Sequence, residues 1–289
     1  MSYKSIDIRP NPVTGIGSYQ RGFSTKDFVD LPQVERRRIG GSHRAIFRIY
    51  ANDRNLAEDL LFLGAGREVR IFNDKGIVDF GGMIYTVTLS TGGSKVRANL
   101  MGMSNRVWAR WQEADTANPP DRSTVYNNTA SQDLYGIKED VWNCGQQVSV
   151  AEASQYAEKQ LQEYAWPTPK AIEISPGKKL SDRPMLEFIC HGWFHTLGHV
   201  RYNQTIVAGG SDASTVVNTL VSDPEIGQFI RNIDIETNVT QIPNTMNADM
   251  GADSIIESVV DMGDVGLSNW VAGVDHNRDF YCRPGARRE

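Results

Sequence analysis

The segment between residues 45 and 111 is the part of the sequence that most constrains the fold. Polar and apolar residues alternate there in runs rich in β-branched and aromatic side chains, "AIFRIYA", "EVRIFNDKGIVDFGGMIYTVTLS" and "KVRANLMGM". The sequences "NDKG" and "TGGS" separate the strand-like parts and have the composition of tight turns. This pattern predicts consecutive antiparallel strands. Such a meander removes its exposed edges by closing into a small barrel or packing as a sandwich.

An amphipathic helix is predicted over residues 150–165. Ser149 and Glu152 have the spacing of a capping box, in which each side chain satisfies a backbone N–H of the first helical turn. Apolar residues follow at helical spacing, and Pro167 and Pro169 end the helix because proline lacks the N–H that a helix interior requires.

Two further helices are predicted towards the C-terminus. The first starts at Ser211 or Asp212 and ends before Pro224. The second covers residues 253–262, with Gly263 in the position of a C-terminal cap. The last apolar segments, in "NWVAGVDHNRDFYCRP", predict two strands joined by the turn "DHNR".

These patterns divide the chain of 289 residues into four segments. An extended N-terminal arm, rich in glycine, proline and charge, covers residues 1–35. A first β-barrel module covers residues 36–112, and a second β-module with the helix at 150–165 covers residues 113–206. A helix and hairpin module at residues 207–289 completes the second half. The stretches "VRANLMGMSNRVWARW" and "LEFICHGWFHTLGHVRY" echo one another, as two related β-modules would.

Composition narrows the class of protein. A formal net charge of -5 and a pI near 5.6 argue against a protein that mainly holds nucleic-acid phosphates. No apolar stretch approaches the roughly 20 residues of a membrane-spanning helix, and the N-terminus has no signal-peptide core, so we expect folding in a cytoplasm. Three widely spaced cysteines, Cys144, Cys190 and Cys282, argue against a disulfide framework and a zinc ribbon.

The stretch "HGWFHTLGH" holds three histidines, His191, His195 and His199, at a regular spacing of four. Histidines at this spacing converge on a metal ion when they lie on a helix. The preceding "LEFIC" is strand-like, and Gly192 and Gly198 interrupt the stretch. Because a step of four along a strand separates side chains by about 13 Å, the strand interpretation predicts that the three do not share a metal ion.

Other short motifs also favour structural interpretations. Gly64 and Gly66 form a GxG pair, but the third glycine of a dinucleotide site is missing and a strand follows. The sequence "DHNRD" resembles the start of a calcium loop but lacks the required glycine and closing glutamate. There is no GxSxG elbow or phosphate-binding loop. The sequence therefore predicts a protein that is not an enzyme, with no catalytic, cofactor-binding or metal-binding residues and no cofactor.

Several stretches, taken in order from about residue 35 to the end, resemble the tail hub (baseplate hub or tail-tip) proteins of long-tailed bacteriophages. The stretches are "VERRRIGGSHRAIFRI", "LLFLGAGREVRIFNDKGIVDFGGMI", "SQDLYGIKEDVW", "AEASQYAEKQLQEYAWPTPKA", "LEFICHGWFHTL", "SDASTVVNTLV" and "NWVAGVDHNRDFYCRP".

The resemblance implies an α+β, β-rich fold with small tube-type antiparallel β-barrels and three accessory helices. Related hubs carry two such barrels per chain and assemble as trimers. The expected function is therefore that of a structural virion protein, which forms a ring at the tail tip or baseplate hub, joins the tail tube to the tip and leaves a channel for DNA. A homotrimer is favoured, and a hexamer is the alternative ring.

The expected location is the virion tail tip, after assembly in the host bacterial cytoplasm. The implied partners are further copies of the chain and the tail tube, distal tail and tip proteins. The tape-measure protein and genome DNA pass through the lumen, and no membrane span is expected.

The residues expected to matter are structural. The sequence "HGWFHTL" resembles the family's strand-end motif, in which His191 closes a strand, a glycine and an aromatic residue follow, and His195 and His199 fill variable positions. The three glycines are expected at positions where the backbone restricts the residue to glycine. The other residues are expected to pack in the core or to shape the final hairpin. The full set is Gly82, Gly102, Gly192, Trp193, Leu197, Trp270, Asp275 and Arg278.

Other functions remain open at this point. The chain stops soon after "YCRP", where many relatives continue, so a distal tail or other baseplate ring protein is an alternative to the hub. Tryptophan and tyrosine on β-modules can also form stacking platforms, as in a host-surface carbohydrate-binding module. A hydrolase with dispersed carboxylates and a β-rich assembly protein outside phages are the remaining alternatives.

Overall fold

The structure is a computed structural model of the chain. It describes residues 3–12, 22–27, 29–51, 54–112, 121–146, 148–174, 184–202, 211–237, 250–261 and 269–285. The strands in these segments are β1 (Tyr3–Arg9), β2 (Phe23–Thr25), β3 (Gln33–Arg37), β4 (Ile39–Tyr50), β5 (Glu68–Asn73), β6 (Val78–Ser90), β7 (Ser94–Asn99), β8 (Arg106–Gln112), β9 (Asp121–Arg122), β10 (Tyr126–Asn127), β11 (Glu139–Gln146), β12 (Lys170–Ile174), β13 (Met185–Gly192), β14 (Asn232–Ile235), β15 (Trp270–Val274) and β16 (Asp279–Pro284). The helices are α1 (Arg54–Leu63), α2 (Thr129–Tyr135), α3 (Val150–Tyr164), a 3-10 helix (Trp193–Gly198), α4 (Ala213–Ser222) and α5 (Ala252–Asp261).

The main sheet has 12 strands and is centred on β13, which lies between β4 and β6. On the edge of β4 that pairs with β13, the first residues of β4 pair with β15, which continues to β16 and β14, while β3 pairs with the opposite edge of β4. Beyond β6 it divides, because one part of β6 pairs with β5 and the other with β7. The β5 branch continues to β1 and β2, and the β7 branch ends at β12.

The central strand is held by apolar contacts on both sides. Phe188 of β13 lies opposite Phe47 of β4 and Val87 of β6. The rings of Phe47 and Phe188 stack with their centroids 4.8 Å apart. Burial alternates along β13, and the strand-like character that the sequence predicted for "LEFIC" is confirmed.

Each face of the central strands packs against a separate apolar cluster. One cluster joins β4, β6 and β13 to β1, β5 and α1, and it buries Ile6, Ile8, Val69 and Leu60 completely. The other joins the 3-10 helix, α4 and α5 to β15 and β16. Both faces are therefore covered within one chain.

The second sheet has four strands, with β8 at its centre. β11 pairs with β8 in parallel, and β9 and β10 share its other edge. Helix α3 lies on this sheet and buries Ala153 and Ala157 against Val107 and Trp111. The predicted capping box is confirmed, since the Ser149 side chain accepts a hydrogen bond from the backbone N–H of Glu152 and the Glu152 carboxylate accepts one from that of Ser149.

All three predicted helices are confirmed as α3, α4 and α5, and so is the final hairpin of β15 and β16. Gly263, the predicted cap of α5, lies outside the described residues. The sequence analysis missed α1, α2 and the 3-10 helix. Helix α2 begins at Asn128, whose side chain accepts a hydrogen bond from the Ser131 N–H. No helix in the described segments is long and apolar enough to cross a membrane.

The predicted fold is confirmed only as a mixed, strand-rich one. Among the described strands neither sheet closes into a barrel, so the prediction of small closed barrels was wrong. The physical reason is that β2, β12 and β14 each pair with only one described strand, so the sheet ends in unpaired edges instead of closing.

The N-terminal segment contributes directly to the main sheet. β1 pairs with β5 from residue 3 to residue 9, and Ile6 and Ile8 are fully buried, which the expectation of an extended arm over residues 1–35 did not include. Strands from all four segments of the sequence analysis hydrogen-bond within this sheet. The division at residues 36–112, 113–206 and 207–289 stays a prediction.

The contact between Phe188 and Phe47 leads to a stability prediction. Phe188→Ala removes a fully buried ring from the central strand, so we expect the free energy of unfolding to fall by about 3–5 kcal/mol in chemical denaturation. Phe62→Ala is the matched control, because Phe62 is 56% exposed, and a change within about 0.5 kcal/mol is expected. Equal losses in the two variants would contradict the placement of β13 at the centre of the sheet.

Candidate functional site

The three regularly spaced histidines come together around one tyrosine. The ring centroids of His191 and His195 are 4.6 Å apart and those of His195 and His199 are 6.5 Å apart. The ring of Tyr85, on β6, lies 4.8, 5.1 and 5.6 Å from His191, His195 and His199 respectively. The Tyr85 hydroxyl is hydrogen-bonded to Nε2 of His199. We call these four residues the histidine cluster.

This convergence corrects the strand-based expectation of widely separated side chains. β13 ends at Gly192, and the 3-10 helix begins at the next residue. Because a 3-10 helix rises only about 2.0 Å per residue, compared with about 3.3 Å in a strand, the chain after His191 is compact and its side chains stay close. The change of secondary structure inside the motif is what the sequence pattern did not show.

Burial keeps the histidine cluster uncharged. It lowers the pKa of His191 to about 4, with the neighbouring His195 as the next cause. Burial also lowers the pKa of His199 well below its usual value. The pKa of His195 is lowered by burial and partly restored by Asp253, whose carboxylate lies 3.8 Å from its Nδ1. Within the described segments, no group of three or more histidine, cysteine or acidic side chains is placed to hold a metal ion.

Beside the histidine cluster lies a cleft of about 290 Å³ that contains a buried lysine and a buried glutamate. Burial lowers the pKa of Lys138 to about 8, and its ammonium donates a hydrogen bond to the carbonyl oxygen of Leu100. Burial raises the pKa of Glu139, whose carboxylate accepts hydrogen bonds from Nε1 of Trp108 and the backbone N–H of Arg201, each 2.9 Å long. These bonds join the start of β11 to β8, to the segment after β7 and to the segment after the 3-10 helix, and they give both side chains partners within the protein.

Two of the three expected glycines lie where the backbone is crowded. A Cβ atom on Gly192 would lie 1.5 Å from the carbonyl oxygen of Ser42, and one on Gly82 would lie 2.2 Å from that of His191. Gly82 and Gly192 are also cross-strand partners. A Cβ atom on Gly102 would meet nothing within 4 Å, so crowding does not require glycine there.

The expected apolar residues lie in one cluster. Trp193 and Leu197 are fully buried and Trp270 is 8% exposed, and all three belong to the core beneath α4 and α5. The ring of Trp193 stacks on Phe229 with a centroid separation of 6.1 Å. The 3-10 helix is therefore anchored by its apolar side chains on one side and joined to Tyr85 by its histidines.

Asp275 and Arg278 form the turn between β15 and β16, apart from that cluster. The Asp275 carboxylate accepts hydrogen bonds from the backbone N–H groups of Asn277 and Asp279, at 2.7 and 3.0 Å. Arg278 has a φ of 71°, a left-handed conformation that is uncommon for residues other than glycine. The turn packs closely on β6, since a Cβ atom on Gly81 would lie 2.6 Å from Cβ of His276.

The sequence analysis missed Tyr85, Lys138 and Glu139. Tyr85 occupies an ordinary position in an alternating strand, and Lys138 and Glu139 lie in a polar stretch, so no local pattern marked any of them. Their importance follows from contacts across the chain, such as the one between Tyr85 and His199.

Two edge strands of the main sheet, β12 and β14, carry exposed apolar side chains. All five residues of β12 are exposed, including Ile172 at 46% and Ile174 at 70%, and β7 is its only partner among the described strands. In β14 the first three residues are exposed, with Ile233 at 39%, and β16 is its only described partner. An exposed apolar edge strand is a surface suited to pairing with another chain.

Comparison with known proteins gives limited information. No family model matches the chain, and no curated protein matches it. Among solved structures, the tail protein from Neisseria meningitidis MC58 aligns with 98% of this chain at 8% sequence identity and a TM-score of 0.43. The chain covers 50% of that protein, about half its length. A similarity this distant carries no argument about the function of this chain.

The crowding at Gly192 leads to a second stability prediction. Gly192→Ala places a methyl group against the Ser42 carbonyl, so the backbone must shift and we expect a loss of more than about 3 kcal/mol, measured by chemical denaturation. Gly102→Ala is the control and should stay within about 1 kcal/mol. A neutral Gly192→Ala would show that β13 and β4 do not approach as described.

The lowered histidine pKa values predict a pH-dependent stability. The unfolded chain protonates a histidine near pH 6.5, whereas folded His191 resists protonation until about pH 4. Between these values the unfolded state binds more protons, so stability is lost as pH falls from about 6.5 towards about 4. We expect His191→Asn to flatten this part of the curve of unfolding free energy against pH. His276→Asn, in the turn between β15 and β16, is the control, and equal slopes in all three proteins would contradict the prediction.

Proposed function

We propose that this chain is a structural, non-enzymatic protein of a phage tail that forms a ring at the tail tip or baseplate hub. In this proposal the ring joins the tail tube to the tip and leaves a channel for DNA. The observation that carries the proposal is the pair of exposed edge strands, β12 and β14, which belong to one sheet and each have one described partner. A head-to-tail contact between unlike edges generates a ring when the rotation closes.

The directions of the two edge strands favour their pairing. Following the pairings across the sheet from β14 through β16, β15, β4, β13, β6 and β7 gives β12 the opposite direction to β14. A second copy rotated about an axis near the strand direction therefore presents β14 antiparallel to β12. Antiparallel pairing is the more stable ladder.

Apolar side chains are exposed at both edges. Ile172, Ile174 and Ile233 expose apolar surface that pairing would remove from water. Burial of this surface, and not charge, would favour the contact, since β12 carries one base and one acid and Asp234 of β14 lies 4.0 Å from Arg283.

The assignment to a tail rests on the ordered motifs that resemble tail hub proteins, together with the ring. The proposed partners are further copies of the chain and the tail tube, distal tail and tip proteins. In this proposal the tape-measure protein and DNA pass through the lumen of the ring.

The first test is the mass of the assembled particle. Native mass spectrometry at moderate and high salt should give a ring of three copies, and Ile174→Lys should reduce it to monomers because a buried lysine charge opposes pairing. Ile77→Lys is the matched control, since Ile77 is 59% exposed but lies in the turn before β6, and it should leave the ring intact. Six copies would favour a distal tail or other baseplate ring, and a monomer would contradict the proposal.

Cross-linking tests which edges meet. Ile172→Cys and Ile233→Cys variants, each with Cys144→Ser, should form a covalent dimer with a short bis-maleimide only when the two are mixed. Linkage within the Ile172→Cys protein alone would show a symmetric contact between like edges, and it would contradict the head-to-tail arrangement.

A further inference from the structure

A second cleft, of about 380 Å³, lies between the C-terminal end of α3 and one face of the β7–β12 ribbon. Its wall combines two aromatic rings with several hydrogen-bond donors. We call it the Trp166 cleft, and the residues that matter are Arg97, Asn99, Tyr164, Trp166, Thr168 and Lys170.

The indole of Trp166 is a partly exposed and well-supported surface. It is 40% exposed, although tryptophan is among the residues most strongly buried on average. Its ring makes an edge contact with Tyr135, with centroids 6.3 Å apart. The Thr168 N–H donates a hydrogen bond of 2.8 Å to the Trp166 carbonyl oxygen, which fixes the turn that carries the ring. The ring is thus held in place before any ligand arrives.

Hydrogen-bond donors surround this aromatic surface. Asn99 uses its side-chain oxygen to accept bonds from the Thr86 hydroxyl and the Met101 N–H, at 3.1 and 2.8 Å, so its amide N–H groups can serve a ligand. Arg97 donates through Nε to Thr88, at 3.2 Å, which leaves its terminal N–H groups as further donors.

The charge of the cleft is positive on balance. Lys170 lies opposite Arg97 on the ribbon, and its ammonium is 5.9 Å from the centroid of the Tyr164 ring. The acidic residue in the wall, Glu163, hydrogen-bonds the Tyr164 hydroxyl and raises the pKa of that phenol. Two cations and one engaged carboxylate favour a ligand with a negative group.

We propose that the Trp166 cleft binds a saccharide that carries an acidic group. The apolar face of a sugar ring stacks on the indole, its hydroxyls accept hydrogen bonds from Asn99, and its carboxylate or phosphate pairs with Arg97 and Lys170. The proposal goes beyond ring formation and does not depend on it. Because the cleft occupies a face of the ribbon, the outer edge of β12 stays available for strand pairing.

The test begins with an array of neutral and acidic bacterial surface saccharides probed with the full chain. We expect binding to acidic saccharides, and then measure affinity for trigalacturonic acid and its neutral methyl ester by saturation-transfer NMR. Trp166→Ala should weaken binding at least tenfold. Trp142→Ala is the matched control, because Trp142 is 37% exposed on β11, away from the cleft, and it should bind as the original protein does.

The charged pair is tested separately. Arg97→Gln with Lys170→Gln should remove the preference for the acid over the methyl ester while the stacking contribution of Trp166 persists. The proposal would be overturned if the protein bound no saccharide on the array. Equal affinity of the Trp166→Ala and Trp142→Ala proteins for the acidic saccharide would also overturn it. Binding of single-stranded DNA at the same site, with no saccharide bound, would also overturn it and would identify the indole as a base-stacking surface.

Discussion

The insertion of β13 between β4 and β6 is the constraint on which the rest of the structure depends. β13 enters the sheet about 100 residues after β6, yet it forms the longest described pairings with both neighbours. Its end is so close to its neighbours that Gly192 faces the Ser42 carbonyl and Gly82 faces that of His191. Bulkier residues there would separate the strands, and the 3-10 helix that starts at Trp193 would lose its position over the sheet.

From this position the helix closes one core and creates the histidine cluster. Trp193 and Leu197 anchor it beneath α4 and α5, and this anchoring holds His195 and His199 against Tyr85. Three imidazoles can be buried together because burial lowers their pKa values and favours the neutral form. For the same reason the folded state loses stability in acid. The regular histidine spacing therefore marks a packed junction whose stability depends on pH.

The sequence predicted the elements that depend on residues close together in the chain. The capping box at Ser149 and Glu152, the apolar spacing of α4 and α5, and the turn at Asp275 all depend on neighbouring residues. Tyr85, Lys138 and the open edge at β12 depend on strands that are distant in sequence, and no local pattern identifies them. The expected barrels failed for the same reason, since closure depends on which strands meet at the edges of a sheet.

The β7–β12 ribbon shows how one small element can serve two purposes. Backbone N–H and C=O groups of a strand lie in the plane of the sheet, whereas side chains project from its faces. In the two proposals, pairing at the edge of β12 would use the first set, and a ligand beside Trp166 would use the second, through Arg97 and Lys170. Because the two sets are perpendicular, a ring built through β12 leaves the Trp166 cleft repeated around its circumference. Repetition of a weak site on a ring raises its effective affinity for a surface that presents many copies of the ligand.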